Sequence, residues 1–107
     1  MSRKARILLV DDSLADQVVI ERSLEDGHIQ CELQKAINGE QALAMLRNEP
    51  PYCDADKYLR PDIILMDINM PIMDGKSALR EIRADKRICH IPTIMLTTSD
   101  RDKDVLE

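Results

Sequence analysis

Aromatic residues are nearly missing from this chain, which has two Tyr, no Phe and no Trp in 107 residues. Any core must therefore be packed from Ile, Leu, Val, Met and Ala. At 44% hydrophobic residues there is enough aliphatic material for one, and the length is that of a single domain. Long apolar runs are also missing, and nothing approaches the ~20 residues of a membrane-spanning helix. The basic start, Met1-Ser2-Arg3-Lys4-Ala5-Arg6, leads into four apolar residues and then two Asp. That stretch is too short for a signal peptide, which points to the cytoplasm. Three cysteines (Cys31, Cys53, Cys89) are widely spaced and form no metal or redox motif, so reduced thiols are expected. Cys89-His90 lacks the second ligand pair that structural zinc requires. Excess positive charge is absent too. The net charge of −5 argues against a nucleic-acid groove or an anionic membrane as partner.

What the chain does have is alternation. Ile7 to Val10 is continuously apolar, as in a strand buried on both faces of a parallel sheet. Ser13 and Asp16 then open a helix over about 14 to 25. Its Leu14, Val18 and Leu24 are expected to share a buried face, with help from Val19 and Ile20, and Asp26-Gly27-His28 stops it. A weaker strand covers Cys31 to Ile37. Asn38 and Gln41 cap a second helix carrying Ala42, Leu43 and Leu46. The stretch Asn48 to Pro61 reads as an extended loop, long for a helix-to-strand connection. Asp62 to Met66 is the third strand, and Asp74 caps a third helix from about Lys76 to Ala84. Thr93 to Thr97 is the fourth strand. Ser99 to Asp102 begins another helix, whose acids Asp100, Asp102 and Asp104 suit a helix start. Strands alternating with helices imply an α/β fold with a doubly wound parallel sheet and right-handed crossovers.

In such folds ligands bind beyond the carboxyl ends of the strands. This strand assignment places Asp11 and Asp12 after strand one, Asp67 after strand three, and Thr97 with Thr98 after strand four. Three carboxylates at one sheet edge repel one another unless protons or a cation intervene. Oxygen-rich sites of this kind suit Mg²⁺, which would also offset charge on an incoming phosphoryl group. A carboxylate can be the nucleophile, forming an aspartyl phosphate, and the Thr97 hydroxyl could bond the product.

These residues resemble the receiver domain of bacterial two-component response regulators. The likeness covers Ala5 to about Leu106. It is carried by the Asp11-Asp12 pair, by Asp67-Ile-Asn-Met-Pro-Ile-Met-Asp-Gly75 and by Pro92-Thr-Ile-Met-Leu-Thr97. The long loop before strand three and Leu96-Thr-Thr-Ser99 look like the single-domain regulators paired with bacterial phytochromes. The resemblance implies a flavodoxin-like fold with strand order 2-1-3-4. It implies that Asp67 is the phosphoacceptor for a sensor histidine kinase and that Thr97 is the switch hydroxyl. It also implies that Asp12, Asp67 and the main-chain carbonyl of Asn69 ligate Mg²⁺, with Asp11 acting through water. Asn69 and Ser99 would flank the phosphoryl group, and an output protein or domain would read the result.

A receiver of this kind also has a fifth strand bearing a Lys, an aromatic switch residue and a fifth helix. None has a counterpart here, so residues 1–107 are expected to be a receiver domain incomplete at its C-terminus. Such a fragment has an alternative role, as a non-switching interaction module that binds Mg²⁺. Without the fifth strand, strand four becomes an apolar edge open to a second copy, and helix one exposes Val18 and Val19. The competing enzyme class is a phosphatase with an Asp-x-Asp nucleophile. Asn69 stands where that chemistry needs its second acid, so a signalling switch rather than an enzyme is expected.

Overall fold

Ile7, Leu8, Leu9 and Val10 are all buried, as a strand with cover on both faces requires. The computed structural model describes residues 4–54, 56–68, 70 and 73–96. Its elements run in order as β1 (Ala5–Val10), α1 (Leu14–Asp26), β2 (Cys31–Ala36) and α2 (Gly39–Leu46), then β3 (Ile63–Asp67), α3 (Gly75–Ala84) and β4 (Thr93–Leu96). The four described strands form one sheet in the order β2-β1-β3-β4. Every pairing is parallel, with Val10 level with Ala36 on one side and Met66 on the other, and Asp67 level with Leu96. The parallel sheet is the one the alternation implies, and its order is that of the flavodoxin-like fold implied by the resemblance.

The two faces of the sheet are unequal. On one, Leu8, Val10, Ile64 and Met66 pack against Ala42, Leu43 and Leu46 of α2 and Ala78 and Ile82 of α3. Ile88 and Ile91, from the connection after α3, complete this cluster. At the far ends of the two helices, Arg47 Nε donates to Asp85 Oδ2 at 3.0 Å. The other face is thinly covered by α1. The expectation that Leu14 and Val18 would be buried there is wrong, since they are 67% and 51% exposed. The physical reason is angular: residues four apart share one flank of a helix, and no described residue covers that flank. Ile20 and Leu24 are half-buried, and the one buried residue of α1 is Gln17. The exposure expected of Val18 and Val19 is observed.

Helix starts follow local chemistry. Ser13 Oγ, Asn38 Oδ1 and Asp74 Oδ1 accept from the amides of Asp16, Gln41 and Ser77 respectively, as N-caps do. Gln41 Oε1 in turn accepts from the Ile37 amide at 2.8 Å, closing a reciprocal cap on α2. Several boundaries differ from the sequence reading: β1 begins two residues earlier, at Ala5, and α1 runs one residue further, to Asp26. β2 ends at Ala36, α3 begins at Gly75, and β3 runs Ile63–Asp67, which puts Asp67 inside the ladder rather than after it. Of β4, Thr97 lies outside the described residues.

The stretch from Asn48 to Pro61 is better organised than its composition suggests. Asn48 takes a left-handed conformation (φ 54°) just after α2, a common way for Asn to end a helix. Its Nδ2 then donates to the carbonyls of Tyr52 and Tyr58 at 3.2 and 3.0 Å. The two tyrosine rings meet edge to face with centroids 5.0 Å apart. Gln41 Nε2 donates to Tyr52 Oη, and Arg60 Nε to the carbonyl of Leu46.

Candidate metal and phosphoacceptor site

Parallel strands end together, so the acids that close β1 and β3 become neighbours. One carboxylate oxygen from each of Asp11, Asp12 and Asp67 lies within 4.8 Å of the others. Asp11 and Asp67 are fully buried, and Asp12 is half-exposed. The grouping expected from the sequence is therefore present for all three acids. Asn69, Thr97 and Ser99 lie outside the described residues.

Each acid is placed by backbone bonds at the strand ends. The Asp11 amide donates to the carbonyl of Ala36 at 3.0 Å, extending the β1–β2 ladder by one bond. Asp11 Oδ1 accepts from the Ser13 amide at 2.9 Å. The Ile68 amide donates to Leu96 at 3.0 Å, and the Gly75 amide returns to Ile68 at 2.8 Å, so the connection after Asp67 closes on itself. Gly75 is required by that closure. A Cβ there would lie 2.5 Å from the Asp67 carbonyl oxygen and 2.9 Å from Ile68 Cα, positions held by backbone that cannot yield cheaply.

Burial pushes the Asp11 carboxyl up to about 6. The Ser13 amide opposes that shift, while the negative charges of Asp67, Asp16 and Asp12 add to it. The repulsion among three acids this close is relieved by protons or by a cation. Hard oxygen donors in this number fit Mg²⁺ or a similar divalent ion. The donor set therefore suits the ion named from the sequence. Gln17 was missed in the sequence. Its Nε2 donates to the carbonyls of Asp11 and Ala36 at 2.8 and 3.0 Å. The only signal available was a neutral polar residue lying between apolar positions of α1.

A profile of the response regulator receiver domain matches residues 7–107. The response regulator Rcp1 of Synechocystis sp. is 37% identical over 100 residues, covering 94% of this chain and 66% of Rcp1. The chain thus spans about two thirds of that relative. Among solved structures, the phosphorylated cyanobacterial phytochrome response regulator RcpA superposes with a TM-score of 0.81 at 36% identity. That match covers 97% of this chain and 72% of RcpA. The Mn²⁺-bound form of Rcp1 gives a TM-score of 0.78 at 36% identity, covering 95% of this chain and 71% of that one. The likeness to phytochrome-associated regulators read from the loop is thereby supported.

Proposed function

The chain belongs to the response regulator receiver domain family, and on that premise we propose that it accepts a phosphoryl group on Asp67 from a phosphohistidine of a sensor kinase. The observation that carries this reading is the meeting of three carboxylate oxygens within 4.8 Å around a fully buried Asp67. Asp67 attacks phosphorus through a carboxylate oxygen as the P–N bond to imidazole breaks. The imidazole keeps the electron pair, and the product is an acyl phosphate. Most of the acceleration comes from in-line positioning and charge stabilisation, which suits an acid fixed in a strand ladder.

Asp12, Asp67 and the main-chain carbonyl of Asn69 would hold Mg²⁺, with Asp11 engaged through water. Bound there, the ion offsets the carboxylate charges and those of the phosphoryl oxygens. Thr97 would supply the hydroxyl that bonds the phosphoryl group. The domain acts by changing partners, passing its state to an output protein or domain in the cytoplasm. No described helix is long and apolar enough to cross a membrane. Self-association through β4 belongs to the same reading, because β4 is an outer strand of the described sheet and its Ile94 is half-exposed.

Incubation of the full chain with Mg²⁺ and acetyl phosphate should add one phosphoryl mass, read by intact-mass spectrometry. Asp67→Asn should add none. Labelling that persists in the Asn variant would sink the assignment.

A further inference from the structure

The flank of α1 that turns inward carries a polar residue. Gln17 is 2% exposed, and a buried amide of this kind is stable only when its hydrogen bonds are made. Its Nε2 reaches two carbonyls at once, Asp11 at 2.8 Å and Ala36 at 3.0 Å. Those carbonyls stand where the β1–β2 ladder runs out. Ala36 already accepts from the Asp11 amide, so Gln17 ties both strand ends to α1 at the point where the chain enters the Asp11-Asp12 pair.

We propose that Gln17 is a positioning residue for the acid cluster, fixing the Asp11–Asp12 peptide so that Asp12 is held beside Asp67 for a shared divalent cation. The proposal rests on the metal-assisted reading of the site given above. A trans peptide is planar. Pinning the Asp11 carbonyl oxygen toward α1 therefore sends the Asp12 amide the opposite way and fixes where the Asp12 side chain begins. Asp11's own carboxylate is held separately, by the Ser13 amide at 2.9 Å. Three neighbouring carboxylates repel one another before a cation arrives, so the segment bearing two of them needs restraint. Gln17 supplies it through main chain, without touching the ion.

The test compares Gln17→Met, which keeps the length and removes the donor, with the wild-type full chain. Mn²⁺ affinity is read by electron paramagnetic resonance, alongside the metal dependence of phosphorylation by acetyl phosphate. Partners that orient metal ligands typically contribute 10–100-fold in metal affinity. Gln17 acts one step removed, so a loss of about tenfold is expected, at the low end of that range. The metal concentration for half-maximal phosphorylation should rise equally, while the rate at saturating metal stays near wild type. A general packing defect would instead lower the saturating rate and leave the metal dependence in place. Should the Met variant fail to fold, Gln17→Asn retains an amide but withdraws it by one methylene, and the same weakening is expected. A folded variant with wild-type Mn²⁺ affinity overturns the proposal, as does loss confined to the saturating rate. Wild-type chain that binds Mn²⁺ but takes no phosphoryl group overturns the phosphoacceptor reading alone, and the affinities still decide the role of Gln17. Wild-type chain that binds no Mn²⁺ overturns both.

Discussion

Two carboxyls of this protein respond to their surroundings in opposite directions, and together they shape its dependence on pH. Asp11 is raised to about 6, first by burial and then by its acidic neighbours. Asp85 is held far below the usual carboxylate range, mainly by the Arg87 guanidinium, with the Arg87 amide and Arg47 adding to it. Without metal, folded Asp11 keeps its proton up to about pH 6, whereas the unfolded chain releases it near 4. The folded state therefore binds more protons across that interval, and stability rises as pH falls through it. Asp85 works the other way, since its stabilisation is present above about pH 4 and is lost as pH drops below. Thermal melts in EDTA should accordingly show a melting temperature that climbs from pH 7 to about 5 and falls below about 4. Asp11→Asn should remove the climbing limb and leave the acid fall. A climb that survives in the Asn variant would show that another group causes it.

At the scale of elements, the ends of helices are where sequence and structure agree best. Asn38 accepts from the Gln41 amide at 2.7 Å, and Gln41 returns the contact to the Ile37 amide. Asn38→Ala should cost about 1 kcal/mol in urea unfolding, and Asn38→Gly only a few tenths. An Ala variant as stable as wild type would mean the cap is replaced by water. Such caps are legible because they need only residues three apart, and the acid trio was legible because strand ends are marked by the apolar runs that precede them. The inward flank of α1 was not legible. Leu14 and Val18 have the spacing of a buried seam, yet what covers a flank depends on elements distant in sequence. Gln17 was hidden for the same reason, since its partners Asp11 and Ala36 come from two different strands. The 48–61 stretch reads from sequence as an extended loop and nothing more. Its order comes from side-chain bonds of Asn48, Gln41 and Arg60 to main chain and to Tyr52, which composition does not reveal.

For the molecule as a whole, the sheet divides the work between its faces and its ends. One face holds a dense aliphatic cluster under α2 and α3, the other is lightly covered, and the acids sit at the carboxyl end of the strands. The proposed self-association through β4 predicts a sedimentation coefficient that rises with concentration, and Ile94→Lys should suppress the rise by placing charge on the strand. A single monomeric species at high concentration would count against it. The Tyr52–Tyr58 pair has a practical consequence of another kind. These are the only aromatic side chains in the 107 residues, and both belong to the segment laced onto α2. Ultraviolet emission is thus a local gauge of that segment, with the Gln41 amide hydrogen-bonded to one of the two phenols. Light from these two residues reports whether the segment stays docked on α2.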